Sequence, residues 1–593
     1  MPPNLSLTLA PTDSAEPPAE SCLSVAQNLG RRPSWPKDWG LALILNAFGV
    51  VLPALVAWSA GSLSLPQNDD WAYRRVAAHF VSNGSFFFTG WSSPTLVGQI
   101  LWSWPFLRTF GIQGWIFSIS TAVLAVIGIS CAYYLARQVL SPARAFSAVL
   151  LLLLFPGFAF NTSTFMTDVP ALAAEIICLA LGVAASSRRG WPRWVLLASS
   201  LAVGAWGFSI RQFALAAPIA VLASFILADS PRHRRRYLAF GLAEFAVCAL
   251  IYVWASRIPG GLVSTITEPS VSSALRLLEA FFSLALVISP AIAIATWARI
   301  RTVSWTVVPG IAVCLAGLVL LWRDHTVFVG NYLVQQGFQG TELLYGGRPL
   351  LLPTYFWDLL CLVACAFGGL LTWIAADLAR RNQVRVRRLR DWTLPPAQLE
   401  IFGLLMGGGL AVYCLVSSSF FDRYLWPLAL PLAALLLRAS QRHHVTRHAW
   451  ALGAILSSLL AITTIAFTLN AGAYSAARWQ AANAAITQRV KPSSIDAGFE
   501  WNGAHSTASL RPGLRQISWR YFEPVYAQLE PGLRECALVS AVPVGRYFLQ
   551  LKLAGVTYYR LLGPTGPYGL LFTYLVPGPK CPYPASASAQ SPS

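Results

Sequence analysis

The sequence predicts an α-helical protein that crosses a membrane many times. Of its 593 residues, 55% are apolar and only 11% are charged, whereas a soluble protein has roughly 25% charged residues. Several uncharged stretches reach about 20 residues, the length that a helix needs to cross the hydrocarbon core. These two observations exclude a soluble enzyme, a disordered chain, a collagen-like fibre and a disulfide scaffold.

The apolar runs predict about thirteen membrane spans and three parts of the chain. Residues 1–40, rich in Pro, Ser, Ala and Glu, predict a disordered cytoplasmic lead. Residues 41–470 predict the transmembrane domain, and residues 471–593 an extracytoplasmic domain. The predicted spans are 41–60, 115–136, 145–161, 169–186, 193–208, 213–228, 237–256, 281–298, 305–322, 357–376, 400–418, 424–437 and 449–470.

The positions of Lys and Arg predict the orientation. With a cytoplasmic N-terminus, 23 of the 43 basic residues fall in cytoplasmic segments and nine in outer loops. Cytoplasmic loops of membrane proteins carry such an excess. The net charge of +19 is therefore explained by basic residues in cytoplasmic segments, and no nucleic-acid partner is predicted. The Ala-rich composition, with more Arg than Lys, favours a bacterial plasma membrane.

The last 123 residues differ in character from the rest. Strand-like stretches at 536–542, 556–562 and 569–576 alternate with Gly and Pro, which predicts a small α/β or mostly β domain. Cys536 and Cys581 are its only cysteines. A disulfide between them is one prediction, and two free thiols are the alternative.

The first outer loop places two acids directly after the first span, in the segment SLPQNDDWAYRR. Asn68 or Asp69 could cap an amphipathic juxtamembrane helix over 71–81. Capping needs one acid, whereas Asp69 and Asp70 are both present. Together they make this loop a candidate for chemistry.

Three more polar positions fall at the same predicted face. Asp168 begins the fourth span, where capping is the alternative role. Arg211 stands alone between two apolar runs, where it could instead reach to the lipid headgroups. Arg423 follows Asp422, and a local ion pair would explain both. Their convergence predicts a cavity for a substrate with a phosphate head and a hydrocarbon tail, in which arginines bind phosphate and a carboxylate removes a proton.

Four short motifs carry a resemblance to a known family. They occur in order as Asp69, Asp70 and Tyr73; a helix from Pro94 onward; Thr167, Asp168 and Pro170; and Arg423, Tyr424 and Pro427. This order resembles the C-type membrane glycosyltransferases, in particular the group of lipid A aminoarabinose transferases, protein O-mannosyltransferases and rhizobial core-sugar transferases. The resemblance is best over 61–185, thinner to 440 and absent in the last 120 residues.

The resemblance implies inverting transfer of a sugar from a polyprenyl-phosphate donor to a hydroxyl of a glycan, lipid or protein. It implies Asp69 as general base, with Asp70 as the alternative, and Asp168 as a residue that orients the acceptor or supports the base. Arg211 and Arg423 would face the lipid phosphate. The remaining predicted substrate-binding residues are Tyr73, Arg74 and Tyr424.

Two departures from the family leave the sugar and the acceptor open. The Lys-Pro-Pro signature of many aminoarabinose enzymes is absent, because Ser92, Ser93 and Pro94 occupy that stretch. The luminal repeat module of eukaryotic protein mannosyltransferases is also missing. Residues 496–503, DAGFEWNG, are predicted to help select the acceptor.

Three rival interpretations remain. A transporter or flippase would place ionisable groups inside the membrane, where Glu175 and Glu244 are the acids. A metal-dependent transferase is the second rival. The sequence does not firmly imply a cofactor, but Asp69, Asp70 and Asp168 could ligate a divalent metal. A noncatalytic envelope scaffold would tolerate Asp69→Asn.

Overall fold

A computed structural model describes most of the chain. The described residues are 35–88, 95–229, 231–259, 267–297, 305–338, 344, 348–384, 394–417, 420–441, 445–505, 535–543, 551–559, 568–575 and 581. The predicted disordered lead, apart from its last six residues, and Pro94 lie outside them.

Helices dominate the membrane domain. In chain order they are α1 (Trp35–Asn46), which continues through a π-helical turn (Ala47–Val51) into α2 (Leu52–Ser59), α3 (Asp70–Asn83), α4 (Val97–Phe110), α5 (Gly114–Arg137), α6 (Pro142–Leu153), α7 (Phe158–Asn161), α8 (Asp168–Ser186), α9 (Trp191–Ile210), α10 (Ala216–Ala228), α11 (Arg234–Ser256), α12 (Val271–Val287), α13 (Ser289–Trp297), α14 (Val307–Asp324), α15 (Thr354–Val384), α16 (Leu394–Val416), α17 (Trp426–Ala439) and α18 (Arg447–Thr487).

A helix or a bent helix pair occupies every predicted span. Within the described ranges, nine helices are long and apolar enough to cross a membrane, and the pair α12 and α13, bent by 72°, would make a tenth. The remaining three, α6, α17 and the helix that Gln212–Leu215 and α10 form together, are shorter. The polytopic helical class is therefore confirmed, whereas the count of thirteen spans stays a prediction.

Two helices of the loop after the first predicted span lie beside the bundle. α3 presents Trp71, Tyr73 and Val76 to a buried cluster that also contains Val97 and Ile100 of α4. α3 ends at Gly84, whose φ of 70° suits glycine because it has no Cβ. The helix predicted over 71–81 is thus present, and it packs against protein.

The C-terminal part begins on a helix that leaves the bundle. α18 is 41 residues long and runs through residue 470, where the domain boundary was predicted. Beyond it lie α19 (Phe499–His505) and the strands β1 (Ile495–Asp496), β2 (Ala537–Ser540), β3 (Leu551–Tyr559) and β4 (Tyr568–Leu575). The sheet order is β1-β2-β4-β3, with β1 and β2 parallel and the other pairs antiparallel.

The sheet packs on the C-terminal end of α18. Ala481 and Ala485 of that helix share a buried cluster with Ile495, Val539 and Leu571. Small residues on α18 allow this close approach of helix and strands. The sulfur atoms of Cys536 and Cys581 are joined in a disulfide, with the two Cα atoms 5.3 Å apart.

Candidate active site

Four charged side chains from separate parts of the chain meet at one end of the bundle. Asp69 precedes α3, Asp168 begins α8, Arg211 follows α9, and Arg423 lies in a 3₁₀ turn (Asp422–Leu425) before α17. All four are buried or nearly so. The predicted convergence of these residues on one face is therefore present as direct contact.

Asp168 lies between the two arginines. Its Oδ2 is 3.2 Å from an Nη2 of Arg211, and its Oδ1 is 3.5 Å from Nε of Arg423. Thr167 accepts a hydrogen bond of 2.6 Å from Nε of Arg211 instead of capping α8. Capping therefore does not account for Asp168, and headgroup contact does not account for Arg211. Both side chains are buried, and a buried charge needs an oppositely charged partner.

Asp69 has the least engaged carboxylate of the cluster. It occupies the N-cap position of α3, yet its side chain makes no capping hydrogen bond. Its partners are Nη2 of Arg423 at 3.8 Å and the side-chain amide of Asn68 at 3.4 Å. Burial raises the pKa of Asp69 to about 6, although Arg423 and Arg211 oppose the rise. A carboxylate in this state can accept a proton near neutral pH.

Asp70 is engaged in a different way. It accepts hydrogen bonds from the backbone N–H groups of Gln67 and Phe165, at 2.7 and 3.1 Å. It also pairs at 3.0 Å with Arg74, which donates to the carbonyl oxygens of Ser64 and Leu65. Both Asp70 and Arg74 therefore hold the first loop together through these contacts.

Two tyrosines border the cluster. The Arg211 and Arg423 guanidinium carbons lie 5.4 and 5.5 Å from the ring centre of Tyr424, within range of cation–π attraction. Tyr73, fully buried on α3, interacts electrostatically with Asp69 and with both arginines. Burial raises its pKa well above 10, so its hydroxyl stays protonated.

The side chains of Asp422 and Arg423 have different main partners, although the charge and backbone N–H of Arg423 also interact with Asp422. Asp422 accepts from the backbone N–H of Tyr332 at 3.0 Å and also from that of Leu333. Arg423 turns toward Asp69 and Asp168, and it donates to the side-chain oxygen of Asn331 at 3.2 Å. Asp422 thus anchors a loop, and that loop supplies Asn331 to orient Arg423.

Sequence reasoning missed Asn331 and one acid, Glu500. Asn331 has a φ of 98° and follows Gly330, which also has positive φ. Glu500 Oε1 accepts a hydrogen bond of 3.0 Å from the backbone N–H of Asn68, next to Asp69. Its segment was predicted to concern the acceptor, but spacing in sequence cannot reveal a contact across 432 residues.

The acids of the cluster do not group together as metal ligands would. Across the described ranges, no set of three or more His, Cys, Asp and Glu side chains is placed to hold a metal ion. Arg423 lies close to both Asp69 and Asp168. Its positive charge disfavours a cation between the two carboxylates.

A family match covers part of this site. Residues 98–255 match the family model of the dolichyl-phosphate-mannose-protein mannosyltransferases, and this stretch contains Asp168 and Arg211. The resemblance to the C-type membrane glycosyltransferases is confirmed. No curated protein matches the sequence significantly.

Three solved structures are similar to the chain. ArnT from Cupriavidus metallidurans bound to undecaprenyl phosphate is 12% identical at a TM-score of 0.42, covering 88% of this chain and 97% of that one. The oligosaccharyltransferase of Archaeoglobus fulgidus in the apo form is 14% identical at 0.42, covering 93% and 76%. The arabinosyltransferase EmbB of Mycobacterium smegmatis is 13% identical at 0.31, covering 90% and 47%.

Proposed function

We propose that this protein transfers a sugar from a polyprenyl-phosphate donor to an acceptor hydroxyl at the outer face of the membrane. The acceptor is a hydroxyl of an envelope glycan, lipid or protein. The observation that carries the proposal is the buried cluster of Asp69, Asp168, Arg211 and Arg423, in which one carboxylate is weakly engaged and two guanidinium groups lie beside it.

Asp69 is the general base of the proposed reaction. It takes the proton of the acceptor hydroxyl as the acceptor oxygen attacks C1 of the sugar. The bond between C1 and the phosphate oxygen breaks, and the polyprenyl phosphate leaves with the electron pair. Attack opposite to the leaving group inverts the anomeric centre.

Arg211 and Arg423 stabilise the negative charge that develops on the leaving phosphate. Asp168 is a positioning residue, because its carboxylate bridges both guanidinium groups at 3.2 and 3.5 Å. Tyr73 and Tyr424 border the same space and exclude water from it. In this scheme the arginines provide the positive charge next to the phosphate, and no metal ion is required.

Transfer from defined donors tests the proposal. Membranes that contain wild type, Asp69→Asn, Asp168→Asn or the surface control Asp324→Asn are supplied with radiolabelled sugars on polyprenyl phosphates. We expect incorporation in wild type and control, and its loss in the other two variants at equal protein level. Absence of incorporation from every donor, or full activity of Asp69→Asn, would reject the proposal.

Transport of a lipid-linked substrate is the second candidate. It is favoured by Glu175, a buried carboxylate in α8 for which neither oxygen has a hydrogen-bond partner within the described part of the chain. Ionisable groups inside membranes often mark transport pathways. Donor flipping in vesicles that is lost in Glu175→Gln, without sugar transfer, would select this candidate.

A further inference from the structure

The loop that carries Asp69 is held from two sides. On the membrane side, Asp70 ties it to Phe165 and Arg74. On the other side, the side-chain amide of Gln67 donates to the Ser475 hydroxyl at 2.9 Å, and the N–H of Asn68 donates to Glu500 at 3.0 Å. The second set of contacts comes entirely from the C-terminal part of the chain.

Glu500 is itself fixed in place. Its Oε2 lies 2.6 Å from Nη2 of Arg478, and the side chains of both residues are at least 96% buried. A buried ion pair of this kind restricts both partners. The carboxylate therefore meets the N–H of Asn68 from a defined position, in a charge-assisted hydrogen bond.

The helix that carries Glu500 packs directly on α3. The rings of Phe499 and Trp71 meet edge to face, with centroids 5.8 Å apart. Gly503 lies so close to Trp71 that a Cβ there would come within 2.2 Å of the indole ring. Arg75 donates to the carbonyl oxygen of Ala504. α19 is thus docked on α3, the helix that directly follows Asp69.

The backbone at Asn68 has an uncommon conformation. Its φ is 53°, in the left-handed region, which asparagine adopts more readily than other residues with a Cβ. This conformation turns the chain into α3 and sets the direction of the next side chain, Asp69. Without an acceptor, the N–H of the buried Asn68 would lose its hydrogen bond and the turn could relax.

We propose that Glu500 is a positioning residue, through which the C-terminal domain holds the Asn68 turn and directs Asp69 toward the acceptor hydroxyl. This inference rests on the function proposed above. It makes the C-terminal domain a part of the catalytic centre, whichever acceptor that domain also contacts.

The charges around Asp69 provide a readout that a purely structural role would not move. The groups that face Asp69 are Arg423, Arg211, Asp168, Glu500 and the Tyr73 hydroxyl. Burial raises the pKa of Asp69 to about 6, and the negative charge of Glu500 adds to this rise. Removal of that charge lowers the pKa of Asp69, so the acid limb of the pH profile moves to lower pH.

The test compares three variants with wild type. Glu500→Ala removes the acceptor and the charge. Glu500→Gln keeps an oxygen for the N–H of Asn68 and removes the charge, and Arg478→Met/Glu500→Gln does the same without an unpaired arginine. The matched control is Glu535→Gln, the same change in the same domain at a residue that does not face Asp69. Sugar transfer, its pH profile and hydrogen exchange of residues 64–75 are measured in full-length, reconstituted protein.

We expect Glu500→Ala to lower kcat by about 10²-fold, since a displacement of about 1 Å of a catalytic group has this effect. The KM values should stay within about threefold, and exchange at Asn68 should rise. Both glutamine variants should recover most of kcat and keep the acid limb at lower pH. If Glu500→Ala does not fold, Arg478→Met/Glu500→Gln still tests the inference.

The negative results of this experiment distinguish an error in the role of Glu500 from an error in the proposed function. Folded Glu500 variants with wild-type kcat, pH profile and exchange would overturn this inference and leave the transfer proposal intact. Absence of transfer in wild type, with faster exchange at Asn68 in Glu500→Ala, would reject the proposed function and retain the contact between Glu500 and the loop. Equal effects of Glu535→Gln would also overturn the inference, because they would show a general response of the domain.

Discussion

Replacement of Asp69 by asparagine tests the centre of the proposed mechanism. The change keeps the size of the side chain and removes the proton acceptor. Because the polar contacts of this carboxylate with the described residues are long, at 3.4 Å to Asn68 and 3.8 Å to Arg423, the variant should fold as wild type does. We expect the transfer rate to fall while the protein level and thermal stability stay unchanged.

The size of the effect follows from the chemistry of a general base. Such a group contributes roughly 10² to 10⁴ in rate, which corresponds to about 3 to 5 kcal/mol of activation free energy. The pKa of Asp69 is about 6, so roughly nine tenths of the carboxylates are ionised at pH 7. In wild type the rate should therefore fall about tenfold per pH unit below pH 6, and this limb should vanish in Asp69→Asn.

The assay needs a control that separates Asp69 from its neighbour, because burial also raises the pKa of Asp70 to about 6. In Asp70→Asn an amide would face two backbone N–H groups, and Arg74 would lose its carboxylate partner while it keeps the carbonyl oxygens of Ser64 and Leu65. Breaking a buried pair costs about 3 to 5 kcal/mol, so this variant should lose thermal stability as well as activity. Initial rates from pH 5 to 8, normalised to folded protein, distinguish the two.

Asp69 would not be the general base if Asp69→Asn kept more than about a tenth of the wild-type rate, because loss of a general base should lower the rate by roughly 10²-fold or more. The general-base role would also be refuted if the residual activity still fell below pH 6. The limb would then belong to Asp70 or to another group, and Asp69 would be a loop residue without a role in proton transfer.

Four further predictions concern Arg423, Asp168, the disulfide of the C-terminal part and metal dependence. Arg423→Ala should lower kcat/KM for the donor by about 10²-fold or more, because it removes a cation from the leaving phosphate; an unchanged value in steady-state assays would contradict this. Asp168→Asn should weaken donor binding and thermal stability together, as Arg211 and Arg423 lose their shared partner, which ligand-binding and melting curves would report. Replacement of Cys536 and Cys581 by serine should destabilise the C-terminal domain by roughly 2 to 4 kcal/mol, and equal resistance to limited proteolysis would argue against it. A chelator should leave initial transfer rates unchanged, since the arginines already supply positive charge, and rescue of a chelated sample by Mg²⁺ or Mn²⁺ would reverse this view.

Several parts of the architecture could be predicted from local sequence. Uncharged runs predicted where helices occur, because a helix in a membrane must satisfy its backbone internally and present apolar side chains outward. The strands near 536–542, 556–562 and 569–576 were placed within a few residues, except that β3 begins five residues earlier. The helix α18 continues through residue 470, because the small residues that follow do not interrupt it, and the domain boundary at that position stays a prediction.

The candidate site residues could also be predicted only in part from local sequence. Asp69, Asp168, Arg211 and Arg423 attracted attention as charges beside apolar runs, which is a property of local sequence. Their mutual distances depend on how α3, α8, α9 and α17 pack, and no spacing in the sequence encodes those. Asp69 and Asp70 are adjacent and chemically identical, so only their surroundings distinguish a weakly engaged carboxylate from one saturated with hydrogen bonds.

Local sequence was enough to predict the membrane class, the approximate helices and the residues whose burial requires a partner. The reason is that hydrophobicity and charge act over a few residues of the chain. Only the tertiary structure decided which partner each charge has, that Asp168 bridges two arginines, and that Glu500 reaches back to Asn68. Those contacts join residues from tens to hundreds of positions apart, and they exist only because packing brings separate helices and loops to the same place.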